Sequence, residues 1–407
     1  MRRARPRRIP MRSSQALGEA LGVNSGVTAT DVNAARALGV RWIRISAGID
    51  WGSWHTTKAQ YDADVAAGGI WPALATFASQ VAYAHSQGIH VLAIAMTSPQ
   101  WAHGAPRQDG GYEWHQAILP QYRNDFAEYA RQLALCGADA VEVINEPHVN
   151  LFGYGFGPDH PRAAFPDERV DDYALLLRAV YTRIKQDPTT AACQVGAGGV
   201  GAYGHEQMPI PDAIHGTTWY QRLFTAKADD RVMPITAAGY FDWAGVHPYA
   251  EFNTQKGPTE WDGRWIDQFG DSAYYHGTAS TWRIRQALVA GGASSAKIWA
   301  TEVGAATYGG TCMATPCVSE ALQATWLSQY EQAWFQIGST GWSTPLASEY
   351  FGRWTGPMFV YQRRDKSDGV IAPTDKEGFF GVERYDGSHK PSYDTLVALA
   401  ARRATNP

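Results

Sequence analysis

The sequence has little of what would mark a membrane protein or a nucleic-acid-binding protein. No apolar run approaches the roughly 18 residues that a membrane-spanning helix needs, so we predict no span. Lys and Arg number 35 and Asp and Glu 39, and the formal charge of −4 provides no basic surface for nucleic acid. Charged residues make up 18% and apolar residues 45% of the chain, which is an ordinary globular composition.

Cysteine is also scarce, with four in 407 residues. Cys136 and Cys193 lie in apolar helix and strand patterns, so we predict that they behave as small hydrophobic residues. Cys312 and Cys317 lie in a loop rich in Gly, Thr and Pro and could form a disulfide in an oxidising compartment. No further Cys or His lies at ligand spacing, which argues against zinc, and we predict no cofactor.

The N-terminus is basic but lacks the apolar segment of a secretory signal. Six Arg occur in the first twelve residues, and no apolar stretch follows them. A signal peptide needs such a stretch after its basic start, so we predict that this segment is not a complete secretory signal. We predict a disordered basic leader over residues 1–16 and a single domain over residues 17–407.

Eight short apolar runs bounded by turn residues recur along the chain. They are apolar throughout rather than alternating, which is typical of parallel strands buried on both faces. The predicted strands cover 20–24, 40–46, 89–96, 139–145, 193–197, 242–249, 297–302 and 357–361. Amphipathic patterns between them predict helices over 121–136, 172–187 and 393–402. Two further patterns predict a helix capped by Asp31 and a helix that begins at Ser319.

Eight strands that alternate with helices predict an α/β fold, a (β/α)8 barrel. An open doubly wound sheet is the alternative, but no GxGxxG follows the first strand. The predicted helix-to-strand links are short, whereas the strand-to-helix links are long. Barrels of this kind carry their active sites beyond the C-terminal ends of the strands, so the long loops indicate where the site lies.

Polar and charged residues mark several predicted strand ends on that face. They are Arg44 on the second strand, Asn145 and Glu146 on the fourth, His247 and Tyr249 on the sixth, and Glu302 on the seventh. Strands four and seven face each other across the barrel mouth, so Glu146 and Glu302 form a candidate pair. Cleavage of a glycosidic bond needs two carboxylates, because one protonates the leaving oxygen and the other attacks or activates water.

These motifs resemble those of the clan A glycoside hydrolases, which are retaining (β/α)8 enzymes, and the resemblance covers residues 17–400. Asn145-Glu146-Pro147 is similar to the clan's fourth-strand motif, which implies that Glu146 is the acid/base. Thr301-Glu302-Val303-Gly304 is similar to its seventh-strand motif, which implies that Glu302 is the nucleophile. The resemblance also implies that Tyr249 contacts the nucleophile, and Arg44 matches the second-strand Arg.

The segment Thr97-Ser98-Pro99-Gln100-Trp101 is similar to an element of family 39 and its polysaccharide-hydrolase relatives, and family 5 is the next nearest. The clan often has Trp at the end of strand eight, where this chain has Tyr361. The resemblance implies a retaining glycosidase that acts by double displacement on a polysaccharide or oligosaccharide. Its two carboxyl groups should then lie about 5–5.5 Å apart. A secreted or cell-surface location would suit such a substrate.

The chain has 16 Trp, more than a core alone would require. Trp side chains on the long loops could stack on sugars, line an extended groove and favour endo action, or could simply hold the loops down. These residues are Trp51, Trp54, Trp101, Trp114, Trp261 and Trp265. Three His on these loops, namely His103, His115 and His148, could bind hydroxyls or satisfy loop carbonyls.

Two other functions fit the same barrel. One is a metal-dependent sugar isomerase or hydrolase in which Glu146, Glu302 and His247 are the ligands. Such a site usually needs further Asp or His at neighbouring strand ends, where this chain has residues such as Thr97 and Tyr361. The other is a non-catalytic glycan-binding barrel, which would have no need for both carboxylates.

Overall fold

Eight parallel strands close into a barrel in the computed structural model of the chain. The structure describes residues 21–103, 118–148, 166–201, 216–224, 227–228, 231–232, 239–248, 277–307, 311–312, 315–316, 318–335, 354–366 and 378–405. The barrel strands are β1 (Leu21–Asn24), β2 (Trp42–Ile45), β3 (His90–Ala95), β4 (Ala140–Val143), β5 (Gln194–Gly201), β6 (Trp243–His247), β7 (Lys297–Val303) and β8 (Thr355–Val360).

Each barrel strand pairs with its neighbours in the chain, and β8 pairs with β1 to close the sheet. All of these pairings are parallel, for example Val23 with Ile43 between β1 and β2, and Val23 with Val360 at the closure. The predicted (β/α)8 barrel is therefore confirmed, and the open doubly wound sheet is excluded. The predicted leader over residues 1–16 lies outside the described residues, and the division into domains stays a prediction.

Helices follow the strands on the outside of the barrel. They are α1 (Ala29–Ala37), α2 (Trp51–Trp54), α3 (Lys58–Ala67), α4 (Ala75–Ser86), α5 (Gln100–His103), α6 (Arg123–Leu135), α7 (Pro166–Gln186), α8 (Gly216–Leu223), α9 (Gly277–Ala290), α10 (Glu320–Phe335) and α11 (Pro391–Thr405). Single 3-10 turns cover Pro72–Leu74 and Pro120–Tyr122, and two-residue hairpins pair 227–228 with 231–232 and 311–312 with 315–316.

The helix ends explain why the links into the strands are short. Gly39, Gly88 and Gly137 each follow a helix with φ of 76°, 74° and 104°, which turns the chain at once towards the next strand. The predicted cap of α1 was wrong by three positions. Thr28 is the N-cap and Asp31 is its capping-box partner, because the Thr28 side chain accepts from the Asp31 amide and Asp31 accepts from the Thr28 amide.

The core has two layers. Aliphatic residues on the outer face of the strands pack against the helices, and a separate buried cluster of large rings and small residues lies inside the barrel. The inner cluster comprises Trp42, Leu92, Ala140, Trp243, Trp299 and Phe359. The rings of Trp243 and Trp299 stack at 4.2 Å, and Trp42 meets Trp299 edge-on at 5.3 Å. Several of the 16 Trp therefore form the floor below the barrel mouth.

Cys136 and Cys193 are both buried free thiols, as predicted. Burial raises the pKa of the Cys136 thiol to about 12 and that of Cys193 still further. Cys317 lies outside the described residues, so the predicted bond with Cys312 stays a prediction.

Among the described residues, no single helix has the length and apolar character to span a membrane. One bent pair of helices, Lys58–Ala67 with Pro72–Ser86, passes the same test by length and composition only.

Candidate active site

Arg44 connects the residues at the barrel mouth. It lies on β2, is 3% exposed, and donates from Nε and Nη2 to the two carboxylate oxygens of Glu142 at 2.7 and 3.1 Å. Its Nη1 donates to Glu302 Oε1 at 2.6 Å and to Asn24 Oδ1 at 2.8 Å, and its Nη2 also donates to Asn145 Oδ1 at 2.6 Å. Burial alone would lower the pKa of Arg44, but Glu142 and Glu302 raise it above its ordinary value, so the guanidinium stays charged.

His247 lies between the two carboxylates that the sequence singles out. Its Nδ1 is 2.8 Å from Glu146 Oε1 and 3.6 Å from Glu302 Oε2. Those two oxygens therefore lie no further apart than the sum of the two distances. Burial alone would lower the pKa of His247, but Glu302 and then Glu146 raise it above its ordinary value of 6.5, because both favour a positive charge on the ring.

The backbone after β4 is strained. Ile144 and Glu146 have φ of 61° and 47°, in the left-handed region that non-glycine residues rarely enter. Strain of this kind persists where the surrounding structure imposes it, and it clusters at functional sites. Gly198 on β5 is part of that surrounding, because a Cβ there would lie 1.9 Å from the Ile144 carbonyl oxygen. The strained turn directs the Glu146 side chain towards His247.

Gly199 on β5 leaves room for the His247 ring. A Cβ at Gly199 would lie 2.2 Å from His247 Nε2 and 2.5 Å from Thr301 Oγ1. Real Cβ atoms do not approach other atoms this closely, so a side chain here would displace the ring. The position of His247 between Glu146 and Glu302 thus depends on a residue without a side chain on the neighbouring strand.

Solved structures share this barrel, whereas no protein-family profile and no curated protein matches the sequence. The family 39 glycoside hydrolase from Bacteroides cellulosilyticus is 16% identical, with a TM-score of 0.58 over 97% of this chain and 65% of that one. GH5_18 from Streptomyces cattleya, solved with GlcNAc, is 15% identical, with a TM-score of 0.57 over 96% of this chain and 81% of that one. The GH39 enzyme from Xanthomonas axonopodis is 14% identical, with a TM-score of 0.54 over 95% and 67%.

The chain has the fold of these clan A glycoside hydrolases. At 14–16% identity the likeness concerns the fold. This chain spans 65% of the length of the family 39 enzyme from Bacteroides cellulosilyticus.

Two amides complete the mouth of this barrel. Asn145 is half-buried, and its Oδ1 faces Arg44 because a guanidinium only donates. Its Nδ2 group is therefore the donor that points away from Arg44. Asn24 accepts from Arg44 and donates through Nδ2 to the Thr301 carbonyl at 3.1 Å, which ties β1 to β7 beside Glu302.

Tyr361 follows β8, beside the strand that carries Glu302. Its backbone amide donates to the Val303 carbonyl at 2.7 Å, and its ring meets Phe380 edge-on at 5.5 Å. The Tyr361 hydroxyl accepts from Lys366 Nζ at 2.6 Å, and the same Nζ lies 5.0 Å from the ring centroid. Lys366 thus places a solvent-exposed ammonium group at the edge of the mouth.

The loop Trp side chains divide into two kinds. Trp51 is 0% exposed and stacks on Tyr129, so the hypothesis that it offers a face to a sugar is wrong. Its side chain instead holds the loop against the barrel, which is the second of the two roles predicted for these Trp residues. Trp101 is only partly buried, contacts Trp51 edge-on at 5.3 Å, and donates from Nε1 to the His55 carbonyl at 2.7 Å. Trp54 is also partly buried against the core.

The loop His side chains are buried where the structure describes them. His148 is 0% exposed, and its Nε2 accepts from the Gly201 amide at 3.0 Å, so this nitrogen serves the backbone rather than a substrate. His103 is 6% exposed. Several predicted residues lie outside the described part of the chain, namely Tyr249, Trp114, His115, Trp261 and Trp265.

Sequence reasoning missed Glu142 and Asn24. Glu142 lies two residues from the inner-floor Ala140, so it faces the barrel interior, where it meets Arg44. A signal was present, because a carboxylate inside an apolar strand needs a buried cation, and Arg44 is equally isolated in its own strand. Asn24 carried only the weak signal of a polar residue that ends an apolar run.

Proposed function

We propose that the chain is a retaining glycosidase that cleaves a polysaccharide or oligosaccharide by double displacement. Glu302 is the nucleophile and Glu146 is the acid/base. The observation that carries this proposal is the convergence of the two carboxylates on His247 Nδ1, at 2.8 and 3.6 Å, with one of the two also paired to Arg44. The glycoside hydrolase fold agrees with this assignment but does not by itself assign the roles.

The charges around the pair support the division of roles. Glu302 Oε1 lies 2.6 Å from the Arg44 guanidinium, which favours the carboxylate form that a nucleophile needs. Glu146 has no direct bond to Arg44 among the described contacts, and His247 occupies one of its two oxygens. Its other oxygen is therefore the one that we assign to proton transfer with the substrate.

The geometry also favours retention. The sum of 2.8 and 3.6 Å limits the distance from Glu146 Oε1 to Glu302 Oε2. Inverting enzymes need about 6.5–9.5 Å between carboxyl groups to admit water, whereas retaining enzymes need about 5–5.5 Å. The limit on this one pair of oxygens lies just below the lower end of the inverting range, which supports the proposed retaining mechanism.

The proposed reaction then follows in two steps. Glu302 attacks the anomeric carbon and forms an ester, while the bond to the leaving oxygen breaks and that oxygen takes the proton of Glu146. Water next attacks the same carbon, its proton passes to Glu146, and Glu302 leaves as a carboxylate. In both steps we assign Asn145 Nδ2 to a hydrogen bond with a sugar hydroxyl near the reacting carbon, and Trp101, Tyr361 and Tyr249 to further substrate contacts.

Azide rescue tests the assignment of roles. Glu146→Ala with azide and an activated β-glycoside should regain turnover and give a β-glycosyl azide, because the glycosyl-enzyme still forms and azide attacks it without deprotonation. Glu302→Ala should give the inverted azide, because azide fills the vacated space and attacks from the opposite face. Glu331→Ala, a change of a buried Glu on α10, is the control and should give no azide product.

Swapped anomers would reverse the two roles. No rescue in either variant, together with loss of a bound metal, would replace this proposal with the metal-dependent alternative. The Arg44 guanidinium speaks against that alternative, because it already holds a positive charge against Glu302 where a metal would bind. Within the described residues, Glu146, Glu302 and His247 form no group that could hold a metal ion.

A non-catalytic glycan-binding barrel predicts a different outcome for Glu302→Ala. A non-catalytic binding protein would show no turnover either before or after this substitution. We expect Glu302→Ala to keep glycan binding and lose turnover. Incubation of the intact chain with a panel of polysaccharides, with the products sized by mass spectrometry, would identify the substrate and test the proposed endo action.

A further inference from the structure

A third carboxylate lies below the proposed catalytic pair and has no role in the two steps above. Glu142 on β4 is 0% exposed, and both of its oxygens accept from Arg44, at 2.7 and 3.1 Å. Its Oε1 also accepts from the Gly199 amide at 2.8 Å. Because it is fully enclosed, Glu142 cannot touch a substrate, and any effect on the reaction must pass through its partners, Arg44 and the Gly199 backbone.

We infer that Glu142 is a positioning residue that fixes Arg44 and offsets its charge, so that Glu302 stays reactive as a nucleophile. This inference rests on the proposed function. The Nε–Nη2 edge of the Arg44 guanidinium matches both oxygens of a carboxylate. Glu142 occupies that edge, so Glu302 receives a single bond from Nη1 instead of a two-bond clamp.

The two arrangements differ in their effect on the nucleophile. A carboxylate held by two charge-assisted hydrogen bonds and an unshared positive charge is strongly stabilised, and a strongly stabilised carboxylate attacks poorly. With Glu142 present, the positive charge of Arg44 is shared between two carboxylates. Without it, the whole charge would act on Glu302, and the guanidinium would be free to rotate its two-donor edge towards it.

Among the described residues, few other titratable groups face these carboxylates. Around Glu142 they are Arg44, Tyr173 and Tyr220. Burial is the largest cause that raises the pKa of both Tyr hydroxyls, and the charge of Glu142 raises it too. Both hydroxyls therefore stay neutral. Around Glu302 they are Arg44 and His247, with Glu146 on the same His247 nitrogen. Arg44 is therefore the group that carries charge from Glu142 to the site.

The first test is the pH dependence of kcat/KM in Glu142→Gln, which keeps the shape of the side chain but removes its charge. We expect the acid limb, which reports ionisation of the nucleophile, to move about one unit to lower pH. The kcat should fall about tenfold, the rate equivalent of one unit, with KM little changed because Glu142 does not meet the substrate. Glu142→Asp retains the charge and should restore the wild-type limb.

Glu331→Gln is the matched control. Glu331 on α10 is also 0% exposed and also pairs with an Arg, Arg402 at 2.9 Å, but it lies outside the barrel. Its loss should lower stability without moving the pH limb. A purely structural role for Glu142 would give the same result in both variants, with a lower rate at every pH and an unmoved limb, and that result would overturn the inference.

A second measurement does not depend on turnover. The NMR signal of the Glu302 carboxyl carbon can be assigned by its absence in Glu302→Gln. Its chemical shift should titrate at lower pH in Glu142→Gln than in the wild type. An unmoved midpoint would refute the role of Glu142 even if the chain cleaves no glycan, which would be a failure of the proposed function instead. If Glu142→Gln does not fold, the same titration of Glu302 is measured in Glu142→Asp, which keeps the charge. We expect an unchanged midpoint there, and a midpoint lowered by a full unit would contradict charge sharing.

Discussion

A methyl group on Gly199 should displace His247 from the two carboxylates. An ideal Cβ would lie 2.2 Å from His247 Nε2, whereas unbonded carbon contacts are about 3.5–4.0 Å, so the ring must move by more than 1 Å. Its Nδ1 bond to Glu146 Oε1 is only 2.8 Å long, and a movement of that size breaks or compresses it. Overpacking of this kind costs about 1–3 kcal/mol, and a 1 Å misplacement in a site costs about 100-fold in rate.

The assay combines urea unfolding with kcat on a glycan substrate. Gly356→Ala is the control, because its Cβ would lie 2.4 Å from Trp299 Cδ1 and it clashes with the inner floor of the barrel instead of His247. Both variants should lose a similar free energy of unfolding, but only Gly199→Ala should lose kcat about 100-fold. A Gly199→Ala enzyme with near wild-type kcat, or equal losses of kcat in both variants, would refute the reasoning.

Three further predictions concern stability. Burial alone would raise the pKa of Asp139, but the hydrogen bonds from His85 and His90 outweigh burial and lower this pKa to about 2, below the usual 3.8. Asp139→Asn should therefore cost about 2 kcal/mol above pH 4 and progressively less as the pH falls towards 2, measured by urea unfolding across pH. Lys390 and Asp365 form a pair at 2.8 Å with side chains 1% and 6% exposed, so Lys390→Met should cost about 3–5 kcal/mol. The double variant with Asp365→Leu should cost less, and equal costs in a double-mutant cycle would contradict this. Thr28→Ala should cost about 1 kcal/mol in thermal unfolding, because it removes the N-cap, and no loss would show that the cap is dispensable.

The barrel was predictable because its signal is local. Each strand is a short apolar run that ends in a turn residue, and Gly39, Gly88 and Gly137 mark the turns into three of them. The first helix shows the limit of such reading. Thr28 and Asp31 can both cap a helix, and only the reciprocal bonds in the structure show that the helix begins after Thr28.

The site was predictable where chemistry shows at a strand end, and less so inside the barrel. Arg44, Glu146, His247 and Glu302 do meet at the mouth, as predicted. Glu142 lies within a strand, and the partner it meets across the barrel depends on strand tilt and register, which the residues around it do not reveal. The sequence also does not reveal how deeply a loop side chain is buried. It therefore allows a sugar-stacking role for Trp51, which the structure buries.

The Trp floor of the barrel gives the molecule an optical signature of its own closure. Trp42, Trp243 and Trp299 come from three strands far apart in the chain, yet two of the rings meet at an interplanar angle of 69° with their centroids 5.3 Å apart. Indole transitions that lie so close and so skewed couple as excitons, and the coupling gives a paired positive and negative band in circular dichroism. The part of that band that comes from Trp42 and Trp299 exists only while β2 and β7 stay in place around the barrel. It would vanish when the barrel opens, so it reports the loss of closure separately from the loss of helix.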